Sequence, residues 1–191
     1  MRRDDLYALP EALPAPVDDG ACDHLPGARV PPVPLPSTGG RDVDLSKVGA
    51  PLAVVYCYPR TGAPDREPPG GLDAWNALPG ARGCTPESCA FRDRHGELRA
   101  LGAEVFGLST QTAEYQREAA ERLRLPFELL SDAGFALTES LGLPTFEVEG
   151  FRLLKRLTLV IDEGRVSKVF YPVFPPDKHP EEVLRWLSRR R

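Results

Sequence analysis

The sequence predicts an α/β fold in which a mixed central sheet is flanked by helices. Three observations carry that expectation. Strand-length runs rich in β-branched and aromatic residues alternate with helix-length segments that open near Ser or Thr and close near Gly or Pro. The last two strand-like runs are separated only by Asp162-Glu163-Gly164-Arg165, too short for a crossover helix, so they pair as an antiparallel hairpin. The length of 191 residues, 41% of them hydrophobic and 27% charged, suits one buried core that needs no disulfide staples.

Taken in order, residues 1–28 hold scattered hydrophobics among Pro, Gly and Asp, and read as an N-terminal extension with little regular structure, lying over the domain or loosely ordered. The domain proper is expected over residues 29–191. Val33–Leu35 and Val43–Leu45 flank a Pro-Ser-Thr-Gly-Gly turn and predict a small hairpin. Leu52–Tyr58, LAVVYCY, is a continuous apolar run stopped by Pro59, as for a strand buried on both faces. Thr85-Pro86 offers an N-cap and a proline in the first helical position, for a helix running through Cys89, Phe91, Leu98 and Leu101 to Gly102. Ala103–Ser109 is a second strand, and Ser109 or Thr110 can cap a helix that ends before Pro126. Phe127–Leu130 is a short strand and Ala133–Leu141 a short helix stopped by Gly142. Leu157–Ile161 and Val166–Tyr171 form the closing hairpin, and Pro180–Ser188 the last helix. The order β-α-β-α-β-α-β-β-α, part parallel and part antiparallel, is that of a thioredoxin-like sandwich with an added N-terminal hairpin. Arg189–Arg191 read as a solvated tail that suits the helix dipole.

Composition excludes several classes of function. With 28 acidic against 24 basic residues and a net charge of -4, no dominant nucleic-acid footprint is expected. No apolar run of about 18 residues is present to cross a bilayer. The first residues carry two arginines but turn acidic and Pro-rich without an apolar stretch behind them, unlike a secretory signal, so the cytoplasm is the expected compartment. The 21 prolines cluster over 10–36 and 59–86. The four cysteines, Cys22, Cys57, Cys84 and Cys89, are too few for a disulfide scaffold, and a close pair in a reducing compartment points to catalysis or metal binding.

The informative segment is Gly83-Cys84-Thr85-Pro86-Glu87-Ser88-Cys89-Ala90-Phe91-Arg92-Asp93. Cys84 falls just ahead of the expected helix start, where unsatisfied backbone N–H groups and the positive end of the dipole favour a thiolate. Cys89 follows about 140° further around an ideal helix, so the two sulfurs meet only if the first turns unwind. An activated thiol with a second one a short unfolding step away suits oxidation followed by resolution.

That segment resembles the active site of the peroxiredoxins, specifically the Q type, also called bacterioferritin comigratory proteins, with its G-C-T-x-E-x-C-x-F-R-D signature. The likeness extends to Tyr58-Pro59, Leu129-Leu130-Ser131-Asp132, Leu141-Gly142 and the run from Arg156 to Val166. The resemblance implies a thiol-dependent peroxidase without a cofactor. Cys84 would be the peroxidatic cysteine, and Cys89 the resolving cysteine of an intramolecular disulfide that thioredoxin or a similar dithiol reduces. Arg156 would face the thiolate and Pro59 would shield it. In the family the proline, a threonine and the cysteine lie in one compact stretch, whereas here an insertion over residues 62–82 interrupts it. Either the insertion loops out and Pro59 and Thr61 still reach the pocket, or another donor replaces the threonine hydroxyl; the loop-out is favoured for Pro59. Trp75 and Leu78 then either cover the pocket or belong to a tolerated surface insertion.

The remaining candidates have plainer readings. Cys57 sits mid-strand as an ordinary core cysteine. Cys22 and His24 lack the spacing of a structural zinc site and are read as an incidental pair, with a metal pair or a third redox thiol left open. His95 and His179 are expected at the surface, and Arg92 as a brace rather than a reactant. Two other functions stay open: a thiol–disulfide oxidoreductase, against which the C-x-x-x-x-C spacing tells, and a redox-sensing binding module. An intramolecular resolving cysteine needs no second subunit, so a monomer or weak homodimer is expected.

Overall fold

The computed structural model describes residues 4–48 and 50–190. The start of the extension (1–3) and the last residue of the basic tail, Arg191, lie outside them. Two short strands open the chain, β1 (Pro34–Pro36) and β2 (Asp42–Asp44), paired antiparallel with Leu35 opposite Val43. The hairpin expected from the sequence is there, one residue out of the anticipated spans. Strands β3 (Leu52–Cys57), β4 (Ala103–Ser109), β5 (Leu129–Ser131), β8 (Leu157–Asp162) and β9 (Arg165–Phe170) form the central sheet in the order β5-β4-β3-β8-β9. β3, β4 and β5 are parallel, whereas β8 and β9 are antiparallel additions.

The unbroken apolar run of β3 is explained by burial on both faces. Ala53, Val55 and Cys57 face one core with Leu35, Leu108, Leu130, Leu137 and Leu159; Val54, Tyr56 and Tyr58 face another with Phe91, Leu98, Val160, Phe170 and Val183. Cys57 is thus an ordinary core residue. Helices α2 (Cys84–Asp93) and α6 (His179–Ser188) cover the second face, while the hairpin β1–β2 and α5 (Ala136–Leu141) cover the first. Gly142, in the left-handed region at φ 65, stops α5 as its sequence position predicts.

Several elements differ from the sequence reading. The helix expected to run to Gly102 breaks at Arg94, and α3 (His95–Ala100) continues it after a kink, with Asp93 and Gly96 lowering helix propensity there. Helix α4 (Ala113–Arg122) is capped by Thr112, whose side chain accepts from Tyr115 N at 3.2 Å, rather than by Ser109 or Thr110. Ser109 remains in β4. The insertion is not structureless: it contains α1 (Gly71–Ala77), which the sequence reading did not anticipate. Nor did it anticipate the hairpin of β6 (Thr145–Val148) and β7 (Phe151–Leu154), turned by Glu149 and Gly150, both at positive φ. The two pack together, with Trp75, Ala81 and Leu153 buried in a satellite core.

The extension has no helix or strand over its described residues, yet residues 19–30 are fastened to the domain. Cys22 and Leu25 enter the first core. Lys155 and the Tyr171 hydroxyl hold Asp19, and residues 27–30 exchange backbone hydrogen bonds with Gly164 and Val166. His179 is also a correction: it is 3% exposed, with Nε2 2.8 Å from Thr158 Oγ1 and its ring edge-on to Phe91 and Phe170. The helix start that holds it turns inward onto the sheet. His95 is partly buried against the Phe127 ring.

Candidate active site

The site lies at the carboxyl ends of β3 and β4, where open α/β sheets place their ligands. The register that sets Cys57 opposite Leu157 puts Arg156, one residue before β8, beside the end of β3. Helix α2 points its N-terminus at this edge. Two contacts hold it there: the Phe91 ring stacks on Tyr56 at 4.5 Å, and the Tyr56 hydroxyl lies 3.0 Å from Ser88 Oγ.

The helix starts two residues earlier than the Thr85-Pro86 signal suggests. Gly83 is the N-cap at φ 110, Cys84 is the first helical residue, and Pro86 still falls in the first turn, where a missing N–H leaves no intrahelical bond unmade. Only glycine suits position 83. A Cβ there would lie 2.5 Å from Pro176 Cγ and 2.9 Å from Leu9 Cδ2, in a backbone region that disfavours side chains.

Arg156, 3% exposed, organises the centre. Its Nη2 donates to Cys84 Sγ at 3.2 Å and to the carbonyls of Ala81 and Arg82, and Nε donates to Gly80 O at 3.3 Å. Nη1 forms an ion pair with Glu87, which is fully buried. Burial outweighs the arginine's attraction and raises the Glu87 carboxyl to about 7. Glu87 Oε1 has no hydrogen-bond partner among the described residues. The sequence reading quoted Glu87 inside the motif but gave it no role; its place one helical turn from Cys84 was the available signal.

A cavity of about 30 Å³ opens on Cys84, walled by Thr61, Trp75, Ala81, Thr85 and Leu6. Thr61 is 3% exposed, and its amide and hydroxyl both donate to Gln111 Oε1, at 2.7 and 3.1 Å. The hydroxyl oxygen therefore keeps lone pairs for an incoming donor. Pro59 is buried at the end of β3, its carbonyl 3.4 Å from Ser109 Oγ, but it is not part of the cavity wall, where Trp75 and Ala81 of the insertion stand. Leu78 packs on the satellite core. Cys89 is partly exposed and free, like the other three cysteines. Burial pushes its thiol up, against the opposing pull of the neighbouring Arg92 cation. Arg92 donates to Leu123 O at 2.9 Å and pairs with Asp93, so it ties α2 to the end of α4 and does not touch Cys84. His24 Nε2 lies 2.9 Å from Leu141 O, and no group of three metal-ligating side chains occurs among the described residues. No helix is long and apolar enough to cross a membrane among them either.

A buried guanidinium on a cysteine at a helix start, in this sheet, defines a class, and comparison with known proteins agrees. The redoxin family model matches residues 25–184, so the chain belongs to the redoxins. The chloroplastic peroxiredoxin Q of Sedum lineare is 36% identical over 163 residues, 85% of this chain and 77% of that protein. Among solved structures, Mycobacterium tuberculosis peroxidoxin BcpB has a TM-score of 0.70 at 29% identity, covering 87% of this chain and 98% of its own. Xanthomonas campestris peroxiredoxin Q shares the fold with a TM-score of 0.65 at 21% identity, covering 93% and 97%. Within the redoxins, the chain belongs to the Q-type peroxiredoxins and is a thiol-dependent peroxidase.

Proposed function

We propose that Cys84 is the peroxidatic cysteine and Cys89 its intramolecular resolving partner. The observation that carries this reading is the Arg156 Nη2–Cys84 Sγ contact of 3.2 Å at the first residue of α2. The Cys84 thiolate attacks one peroxide oxygen; an S–O bond forms, the O–O bond breaks, and the departing oxygen takes a proton to leave as water or an alcohol. Arg156 holds negative charge at the sulfur, and the Thr61 oxygen accepts a hydrogen bond from the peroxide O–H and so orients it. Glu87 keeps the guanidinium in place. Pro59 acts behind this wall by fixing the chain that carries Thr61.

Cys84 and Cys89 are both inside an intact helix, so resolution requires its first turns to open. Opening exposes the Cys89 thiol, which attacks the sulfenic sulfur and releases water as the disulfide forms. Thioredoxin or a similar dithiol then reduces that bond by exchange. The substrate is hydrogen peroxide or an organic hydroperoxide. The cycle needs a compartment that supplies dithiol reductant, and the cytoplasm is one. Both thiols come from one chain, so the enzyme works as a monomer or a weak homodimer.

The test is peroxide consumption with a thioredoxin system. Cys84→Ser is expected to lose turnover to background, and full activity in it would sink the assignment. Cys89→Ser is expected to reduce one equivalent of peroxide and then stop, and the oxidised wild type to show a Cys84–Cys89 linkage by mass spectrometry. A linkage through Cys22 would reassign the resolving role.

A further inference from the structure

Residues 4–9 precede the part of the chain matched by the redoxin family, yet they are fastened beside the reactive cysteine. Arg82, two positions before Cys84 and 5% exposed, reaches outward to do this. Its guanidinium forms an ion pair with the Asp4 carboxylate and donates to the carbonyls of Asp5 at 2.6 Å and Ala8 at 3.2 Å. A charged group is rarely so buried without a full set of acceptors, and here the arm provides three. Two further contacts seat it. The Tyr7 hydroxyl accepts from Arg122 at 3.3 Å, and the same arginine donates to Gly62 O at 2.8 Å, tying arm to insertion. Leu9 packs where Gly83 has no side chain.

Between these anchors Leu6, 8% exposed, forms part of the wall of the Cys84 cavity. With the arm seated, the cavity of about 30 Å³ has room for about two water-sized atoms. That is the size of hydrogen peroxide. Leu6 narrows the space beside the sulfur, so a hydroperoxide with a bulky carbon substituent fits it less well while Leu6 stands in the wall.

We propose that residues 4–9 form a strap over the Cys84 pocket and that Leu6, held by the Arg82 clamp, is a specificity-determining residue that restricts the enzyme to hydrogen peroxide and other small hydroperoxides. This rests on Cys84 being the peroxidatic cysteine. Leu6 does not touch the reacting atoms. It acts by occupying the volume that a substituent would need, so its removal changes the ratio between substrates rather than the chemistry at sulfur.

The experiment compares kcat/KM for hydrogen peroxide and cumene hydroperoxide in the wild type, in Leu6→Gly, in Asp4→Asn, and in a variant lacking residues 2–9. The wild type is expected to favour hydrogen peroxide by at least about tenfold, and Leu6→Gly and the deletion to reduce that preference by about tenfold. Asp4→Asn, which weakens the clamp without altering the wall, is expected to fall between. Deletion also bares the surface under Leu9, so Leu6→Gly makes the same test with the strap present. A preference unchanged within about twofold in both Leu6→Gly and the deletion overturns the proposal. Cys84→Ser separates the two readings: activity retained in it removes the cysteine assignment, whereas an unchanged substrate ratio in an enzyme that needs Cys84 removes only the strap.

Discussion

The reactive cysteine stands between two regions built in different ways. On its inner side is a frame of Arg156, Glu87 and the start of α2, carried by the central sheet and closed to solvent, with charge balanced inside the protein. On its outer side is a wall made from the arm at 4–9 and the insertion at 62–82, joined by Arg82 and Arg122 to backbone carbonyls and by Trp75 to a small satellite core. The frame sets what happens at the sulfur, and the wall sets what reaches it. Arg156 links the two by donating to the carbonyls of Gly80, Ala81 and Arg82, so its substitution reaches both, whereas changes to wall side chains are expected to leave the frame largely in place.

The sharpest break in that comparison comes from the frame. Arg156→Met removes the donor to Cys84 and leaves Glu87 buried without its partner; kcat/KM for peroxide is expected to fall by about 100-fold or more and stability by about 3–5 kcal/mol. Retention of both in steady-state and denaturant measurements would mean the frame is not where the chemistry is held. In the wall, Trp75→Ala empties the satellite core. It is expected to cost about 3 kcal/mol in urea denaturation while lowering peroxide kcat/KM by less than about tenfold; a larger loss of activity than of stability would place Trp75 in the frame.

Glu87→Gln gives a pH-dependent effect. The folded-state carboxyl titrates near 7, above its ordinary 4.5, so the neutral form is favoured by folding. Its contribution to stability is full below the unfolded value and is lost as pH rises through 7. Between about pH 5 and about pH 8 the wild type should therefore lose stability relative to Glu87→Gln, and a constant gap across that range would show the carboxyl ionised throughout. Arg122→Gln is the mildest change. It loosens one outer tether of the arm and is expected to cost less than about 1 kcal/mol, read as the thermal midpoint.

What could be read from the sequence divides along the same line. The β3 run was recognisable because both its faces are covered, so its composition reports burial directly. The α5 stop at Gly142 and the turn at Glu163-Gly164 were readable because each is a local backbone demand. The Glu149-Gly150 turn uses the same dipeptide and positive φ angles, so the β6–β7 hairpin carried the same signal; Glu-Gly is a weaker turn marker than Asn-Gly, and its strands are short and half exposed. Caps were misjudged by two to three residues because Thr85, Ser109, Thr110 and Thr112 are all chemically able to cap, and packing chooses among them. His179 was misplaced for a related reason: helical position is local, whereas the face turned inward depends on the sheet beneath.

By itself the sequence determined the order of the central-sheet strands and of the main helices between them, though not α1 or the β6–β7 hairpin, together with the spacing of Cys84 and Cys89 and the motif whose resemblance named the chemistry, because these depend on neighbours along the chain. Tertiary structure alone decided that Arg156 meets Cys84 from 72 positions away, that Thr61 lines the pocket despite the insertion, and that the N-terminal arm closes over it. Those contacts join segments far apart in the chain, and only the folding of the sheet and the burial of charges that must find partners bring them together.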